Sequence, residues 1–197
     1  MNHRTARFYN RFSFFYPALD VFLKRHKKQL FQEVNSRTPG KLLEIGVGDG
    51  AHFHLYKNHE LIGIDTSAKM LNRARKQSKG KVELYKMCGE NLTFQNDTFD
   101  YIVLSHVISV VDNPEKLLEE CHRVLKTDGE IFILNHFTPK NWLSYVDKYL
   151  SFLSKIFKFN SVFYKDKLKT LSKFSLISDI DLNNQSYFKL LIYAKTK

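Results

Sequence analysis

The stretch Lys41-Leu42-Leu43-Glu44-Ile45-Gly46-Val47-Gly48-Asp49-Gly50 decides the fold. Five mostly apolar residues break into a run in which every second residue is glycine, the pattern of a buried parallel strand ending in a tight turn. Working outward, the apolar runs Leu61-Ile62-Gly63-Ile64 and Val82-Glu83-Leu84-Tyr85 enclose a Lys/Arg-rich helical stretch from Ala68 to Lys79. Tyr101-Ile102-Val103-Leu104, a helix from about Asn113-Pro114 to Leu125, and Glu130-Ile131-Phe132-Ile133-Leu134 follow. Pro114 suits the first turn of that helix behind Asp112 or Asn113 as a cap, and Gly129 is expected to stop it. Strand alternating with helix implies right-handed βαβ units: an α/β, doubly wound, mostly parallel sheet with helices on both faces. Phe174 to Ile180 and Tyr187 to Ala194 flank Asn183-Asn184-Gln185-Ser186 and read as an antiparallel C-terminal hairpin on the sheet edge.

The chain has 197 residues, 43% of them hydrophobic, which suits one domain over 1–197 with a full-sized core. No apolar run approaches the roughly 20 residues of a membrane-spanning helix, and the N-terminus lacks a signal peptide's apolar region, so a cytoplasmic location is expected. Cys88 and Cys121 have no metal-ligand spacing and read as free thiols, and no metal site is expected.

The net charge of +11 is localised. Residues 1–28 carry seven Lys/Arg against Asp20, and residues 137–173 carry eight Lys against Asp147 and Asp166, leaving the rest of the chain nearly neutral. Each basic stretch lies in a segment outside the alternation. In the N-terminal helical segment, residues 1–36, Leu19, Phe22, Leu23, Leu30 and Val34 recur at helical spacing behind an aromatic run that includes Tyr9 and Tyr16. In a helical lid insertion, residues 138–172, Trp142, Val146, Tyr149, Leu150, Leu153 and Phe157 form a stripe opposite Lys148, Lys155 and Lys158. Basic amphipathic segments of this kind point to an anionic surface, either membrane phosphate or nucleic acid.

In a doubly wound sheet, ligands bind outside the carboxyl ends of the strands. The glycines of the first loop let a ligand approach backbone N–H groups, and Asp65, ending the second strand, can accept hydrogen bonds from both hydroxyls of a ribose. Gly46, Gly48 and Ala51 also satisfy the dinucleotide fingerprint, so a nicotinamide cofactor is one reading. Glu44 before the loop and Asp49 within it would disfavour a pyrophosphate and favour a sulfonium and an ammonium.

Five segments together resemble a known family. Leu-Leu-Glu-Ile-Gly-Val-Gly-Asp-Gly (42–50), Gly-Ile-Asp-Thr-Ser (63–67), Gly-Glu-Asn-Leu (89–92), Phe-Asp-Tyr-Ile-Val (99–103) and Arg-Val-Leu-Lys-Thr-Asp-Gly-Glu (123–130) are similar to the successive motifs of class I S-adenosylmethionine-dependent methyltransferases. The resemblance implies S-adenosylmethionine as cofactor. Glu44, Gly46, Gly48 and Gly50 would hold its methionine end, Asp65 with Thr66 its ribose, and Met70, Glu90, Asn91 and Leu92 its adenine. Ser105 and His106 would face the sulfonium. The acidic residue common before Gly89 is here Cys88.

More narrowly, Gly46-Val47-Gly48 with His54-Leu55-Tyr56, Val107 to Pro114, and Asn135-His136-Phe137 resemble bacterial phospholipid N-methyltransferases. This implies stepwise methylation of phosphatidylethanolamine towards phosphatidylcholine by a monomer peripheral to the inner membrane face, docked through residues 1–34 and 140–173. His106 and His136 are the candidate catalytic bases, each alternatively a phosphate ligand. Tyr9, Tyr16, His136 and Trp142 are the candidate substrate contacts. RNA or a soluble small molecule is the alternative acceptor. Nucleic acid is not favoured, because Ser105-His106-Val107-Ile108 stands where base-amino methyltransferases carry an Asn/Asp-Pro-Pro-aromatic motif.

Overall fold

The computed structural model describes residues 27–137, 167–182 and 188–196. Tyr9, Tyr16, Trp142 and most of both basic segments lie outside these residues, as does the turn of the C-terminal hairpin.

Seven strands form one sheet: β1 (Lys41–Ile45), β2 (Glu60–Asp65), β3 (Glu83–Lys86), β4 (Phe99–Ser105), β5 (Leu125–His136), β6 (Phe174–Asp181) and β7 (Phe188–Lys195). Their order is β3-β2-β1-β4-β5-β7-β6. The first five pair in parallel, β1 against both β2 and β4. The chain therefore reverses its direction of travel across the sheet after β3, crossing over to β4, and the switch point falls between β1 and β4. β7 enters antiparallel between β5 and β6, which makes β6 the edge.

Strand alternation sends successive side chains to opposite faces, and both faces are covered. On one face Leu43, Ile45, Ile102, Leu104, Ile131 and Ile133 pack with Leu117, Leu118, Cys121 and Val124 of the helix Pro114–Val124. On the other, Leu42, Val103, Phe132, Leu134, Leu190 and Ile192 pack with Leu71 and Ala74 of the helix Ala68–Ser78 and with Leu30 and Val34 of a helical stretch, residues 27–35. In chain order these helices are α1 (27–35), α2 (Ala68–Ser78) and α3 (Pro114–Val124). Leu30 and Val34 are wholly buried, so this end of the N-terminal apolar stripe belongs to the core. Full burial of such side chains stabilises the fold by about 1.5–3 kcal/mol each.

Local sequence explains the helix ends. Ser67 caps α2, its hydroxyl accepting from the Met70 N–H, and Asn113 caps α3 by accepting from the Lys116 N–H, with Pro114 in the first turn. The expected role of Gly129 needs correction. α3 ends at Val124 and β5 begins at once with Leu125, so Gly129 lies inside a strand. A Cβ there would come within 2.9 Å of the backbone oxygens of Asp100 and Lys126. The glycine admits β4 alongside an irregular start of β5, where the register shifts between Phe99 and Tyr101. Among the described residues no helix is long and apolar enough to cross a membrane, and no cluster of His, Cys, Asp and Glu could hold a metal ion.

Candidate active site

The glycine loop after β1 hangs from β2: the N–H groups of Gly46 and Val47 both donate to the Ile64 carbonyl, at 2.8 and 3.1 Å. Gly46, Gly48 and Gly50 have φ of 79°, 58° and 72°, which side chains rarely tolerate. The space around them differs. A Cβ on Gly46 would meet Val107 Cγ2 at 2.4 Å, and one on Gly50 would meet the Phe53 ring at 2.4 Å, whereas one on Gly48 would find nothing within 4 Å. Gly46 and Gly50 are therefore required by the fold, and Gly48 borders open space.

Asp65, at the carboxyl end of β2, closes the loop. Its Oδ2 accepts from the Gly48 N–H at 2.9 Å and its Oδ1 from the Ser67 N–H at 2.8 Å, tying the loop to the start of α2. Burial raises the Asp65 pKa, the hydrogen bonds from Ser67, Gly48 and Thr66 pull it down, and nearby Glu44 adds a further rise. Thr66 beside it is exposed, and Met70 is buried on the first turn of α2.

Glu44 is almost wholly buried, with 1% exposure. Its two oxygens lie 2.8 and 2.9 Å from His52 Nε2. The buried Tyr56 phenol lies in the same field: burial first, and the Glu44 charge second, hold its pKa well above the ordinary tyrosine range. Phe31 of α1 stands edge-on to Tyr56 with ring centroids 4.9 Å apart. Sequence reading singled out Glu44 but neither its partner His52 nor the neighbouring Tyr56. They reach it because the chain after Gly50 folds back in a short 3-10 turn, Phe53–Leu55.

Of the four residues expected around adenine, Glu90, Asn91 and Leu92 diverge. The Glu90 carboxylate accepts from the Asn113 N–H at 3.0 Å, at the cap of α3. Asn91 is exposed and bridges back to Cys88. Leu92 is buried in the core, and its N–H donates to Glu120 Oε2 at 2.7 Å. Gly89, just before them, has no room for a side chain, since a Cβ would sit 2.8 Å from Ile45 and from Leu117.

At the ends of β4 and β5 the structure brings Ser105, His106 and His136 together with a residue not expected, Phe188. The Ser105 hydroxyl is buried and has no hydrogen-bond partner among the described residues. His106 adopts a left-handed φ of 59°, held by its N–H donating to the Leu134 carbonyl at 2.7 Å. His136 pairs across strands with Phe188. The Phe188 ring lies 5.9 Å from the His106 ring and 6.4 Å from that of His136. Beneath them the Ser109 hydroxyl donates to Asn135 Oδ1 at 3.1 Å, and Asn135 Nδ2 donates to the His136 carbonyl at 2.7 Å, in a fully buried pair.

These features fit S-adenosylmethionine. Two carboxylates end adjacent strands, an orphaned hydroxyl lies on the next, and an uncrowded glycine with left-handed backbone lies between. Such a donor set suits a cation carrying a ribose and disfavours a pyrophosphate. The fold is the Rossmann-like fold of class I methyltransferases, and the similarities of the chain support an S-adenosylmethionine-dependent methyltransferase. Residues 43–133 match a methyltransferase domain family. The chain is 28% identical to the phosphatidylethanolamine N-methyltransferase of Cereibacter sphaeroides, covering 96% of this chain and 97% of that protein. It is 32% identical to the demethylmenaquinone methyltransferase of Thermotoga maritima over 70% of this chain and 60% of that one. A solved S-adenosylmethionine-dependent methyltransferase from Thermotoga maritima superposes with a TM-score of 0.74 at 23% identity, covering 98% of this chain and all of that one, which supports the fold.

Proposed function

We propose that the protein transfers methyl groups from S-adenosylmethionine to the amine of phosphatidylethanolamine and of its mono- and dimethylated forms at a membrane surface. The observation that carries this reading is the pair of imidazoles, His106 and His136, at the ends of neighbouring strands one step from the glycine loop. A protonated amine cannot attack a methyl group. S-adenosylmethionine supplies an electrophilic methyl on a sulfonium that departs as a neutral thioether, so what the chain must add is alignment, exclusion of water and a proton acceptor. An N–H of the amine breaks, its proton passes to an imidazole nitrogen, and the freed lone pair forms the N–C bond. The end-to-end similarity to a phosphatidylethanolamine N-methyltransferase supports the lipid amine as acceptor.

Glu44, Gly46, Gly48 and Gly50 would receive the methionine end, and Asp65 with Thr66 the ribose. Met70, Glu90, Asn91 and Leu92 would flank the adenine. The basic segments 1–34 and 140–173 would add about 1 kcal/mol per Lys or Arg held near an anionic surface. The test is transfer of labelled methyl groups to phosphatidylethanolamine vesicles with and without anionic lipid, with bulk RNA and demethylmenaquinone as parallel acceptors. Mono-, di- and trimethylated lipid, formed faster on anionic vesicles and more slowly at high salt, is the expected result. Labelled RNA or quinone with silent lipid would overturn it.

A further inference from the structure

We propose that Phe188, with the imidazoles of His106 and His136, forms an aromatic wall of the acceptor pocket that favours methylated ammonium groups over a bare primary ammonium. The inference rests on the N-methyltransferase reading above.

The sheet register places the wall. Leu42, Val103, Leu134 and Leu190 share one core, on the face covered by α1 and α2. Two residues along each strand, alternation puts Glu44, Ser105, His136 and Phe188 on that same face. All four stand at the end of the sheet where the glycine loop lies, because β7 runs antiparallel and begins there. Val107 packs against the Gly46 position, so His106 leads directly from the loop to the Phe188 ring. The left-handed backbone of His106, with φ of 59°, is the kind of strain that clusters at working sites.

The chemistry of the wall follows from what each methylation does. A primary ammonium is compact, strongly hydrated and has three donors to satisfy. Each methyl removes a donor, spreads the charge over carbon and weakens hydration, and the result binds well to the face of an aromatic ring. On this face Glu44 is bonded to His52, and Asp65 to the loop and the start of α2. Among the described residues, an amine arriving at His106 and His136 meets the Phe188 ring beside them. A wall of this kind holds the mono- and dimethylated intermediates more firmly than the starting lipid, which favours successive transfers. It came from the C-terminal hairpin, a part of the chain to which sequence reading gave no role in the site.

The test compares wild type with Phe188→Leu and with mono-, di- and trifluorinated phenylalanine at 188, variants that keep an apolar side chain while draining electron density from the ring or removing it. Rates are measured on vesicles of phosphatidylethanolamine, its monomethyl form and its dimethyl form in the same anionic lipid. The expected result is that the ratio of kcat/KM for the dimethyl lipid over the unmethylated one falls in steps with fluorination, reaching about twofold to thirtyfold in Phe188→Leu, the range of a cation–π contact. The change should appear in KM, with S-adenosylhomocysteine affinity unmoved, and Phe188→Trp should restore the ratio. A ratio unchanged across the series, in an enzyme that methylates these lipids, would overturn the wall and leave the lipid reading standing. If wild type methylates none of them, the lipid reading falls and the wall is tested by tetramethylammonium titration. Shifts of the His106 and His136 ring signals in wild type but not in Phe188→Leu would sustain it, and their absence would end it.

Discussion

Replacing Asp65 by alanine should separate its bonds to the glycine loop and α2 from the ribose contact proposed for it. An ionised carboxylate offers about four lone-pair sites; the N–H groups of Gly48 and Ser67 take two of them at 2.9 and 2.8 Å, and the Thr66 N–H draws on a third. The remaining site is available to a ribose hydroxyl. Removing a charge-assisted hydrogen bond costs about 1.5–3 kcal/mol, which raises the cofactor Kd between roughly tenfold and 150-fold. Alanine also leaves these backbone N–H groups without their acceptor, a cost of about 1–3 kcal/mol for each that water does not reach. Relief of the burial that raises the Asp65 pKa offsets part of this. A net loss near 2 kcal/mol lowers the melting temperature by about 4–8 °C in a chain of this size. Isothermal titration with S-adenosylhomocysteine, on protein shown to be folded by circular dichroism, reads the first effect, and thermal melts read the second. Asp65→Asn, which keeps one acceptor oxygen, should fall between. A folded Asp65→Ala protein binding within twofold of wild type would refute the ribose assignment.

The glycine loop gives a contrasting pair. Gly46→Ala should destabilise by about 2–5 kcal/mol, from left-handed strain plus overlap with Val107, whereas Gly48→Ala should cost stability only its strain of about 1–2 kcal/mol. Cofactor affinity should fall at least about tenfold in Gly48→Ala, because its methyl enters the space left for the ligand; melts and titration together check both. Glu120 supplies a pH-dependent case: hydrogen bonding from Arg123, first, and from the Leu92 N–H hold its pKa below the usual carboxylate value. A depressed carboxyl contributes stability above its unfolded pKa of about 4.3 and loses it as pH falls through the folded value. The stability gap between wild type and Glu120→Gln, about 1–2 kcal/mol at pH 7, should therefore close as melts are repeated towards pH 3.

Much of this architecture was legible because it is local. The run from Lys41 to Gly50 declares a buried strand and a turn through composition alone, and Pro114 behind Asn113 marks a helix start through two fixed backbone preferences. Gly129 misled because a glycine after a helical stretch usually ends the helix. Here α3 passes straight into β5, and the glycine answers to the backbone of β4 instead. His52 could not be joined to Glu44 by periodicity, since the turn that returns it has no repeat to read. Phe188 was further out of reach. Its place beside His136 depends on β7 entering between β5 and β6, and an antiparallel hairpin could as well have added its first strand next to β5. On the N-terminal stripe, Leu30 and Val34 are core residues, and a stripe alone does not say whether its partner is protein or lipid.

The insertion of β7 has a consequence for how the molecule comes into being. A ribosome delivers β5 well before β7, and through that interval the outer edge of β5 exposes unpaired backbone along an apolar strand. β6 emerges first but does not take the vacancy. The sheet closes only by a late, long-range pairing, the slow kind that leaves a nascent chain open to association with its neighbours. The same event seats Phe188 against the two histidines, so a product cut short before residue 188 would leave the β5 edge open and lack that ring contact as well.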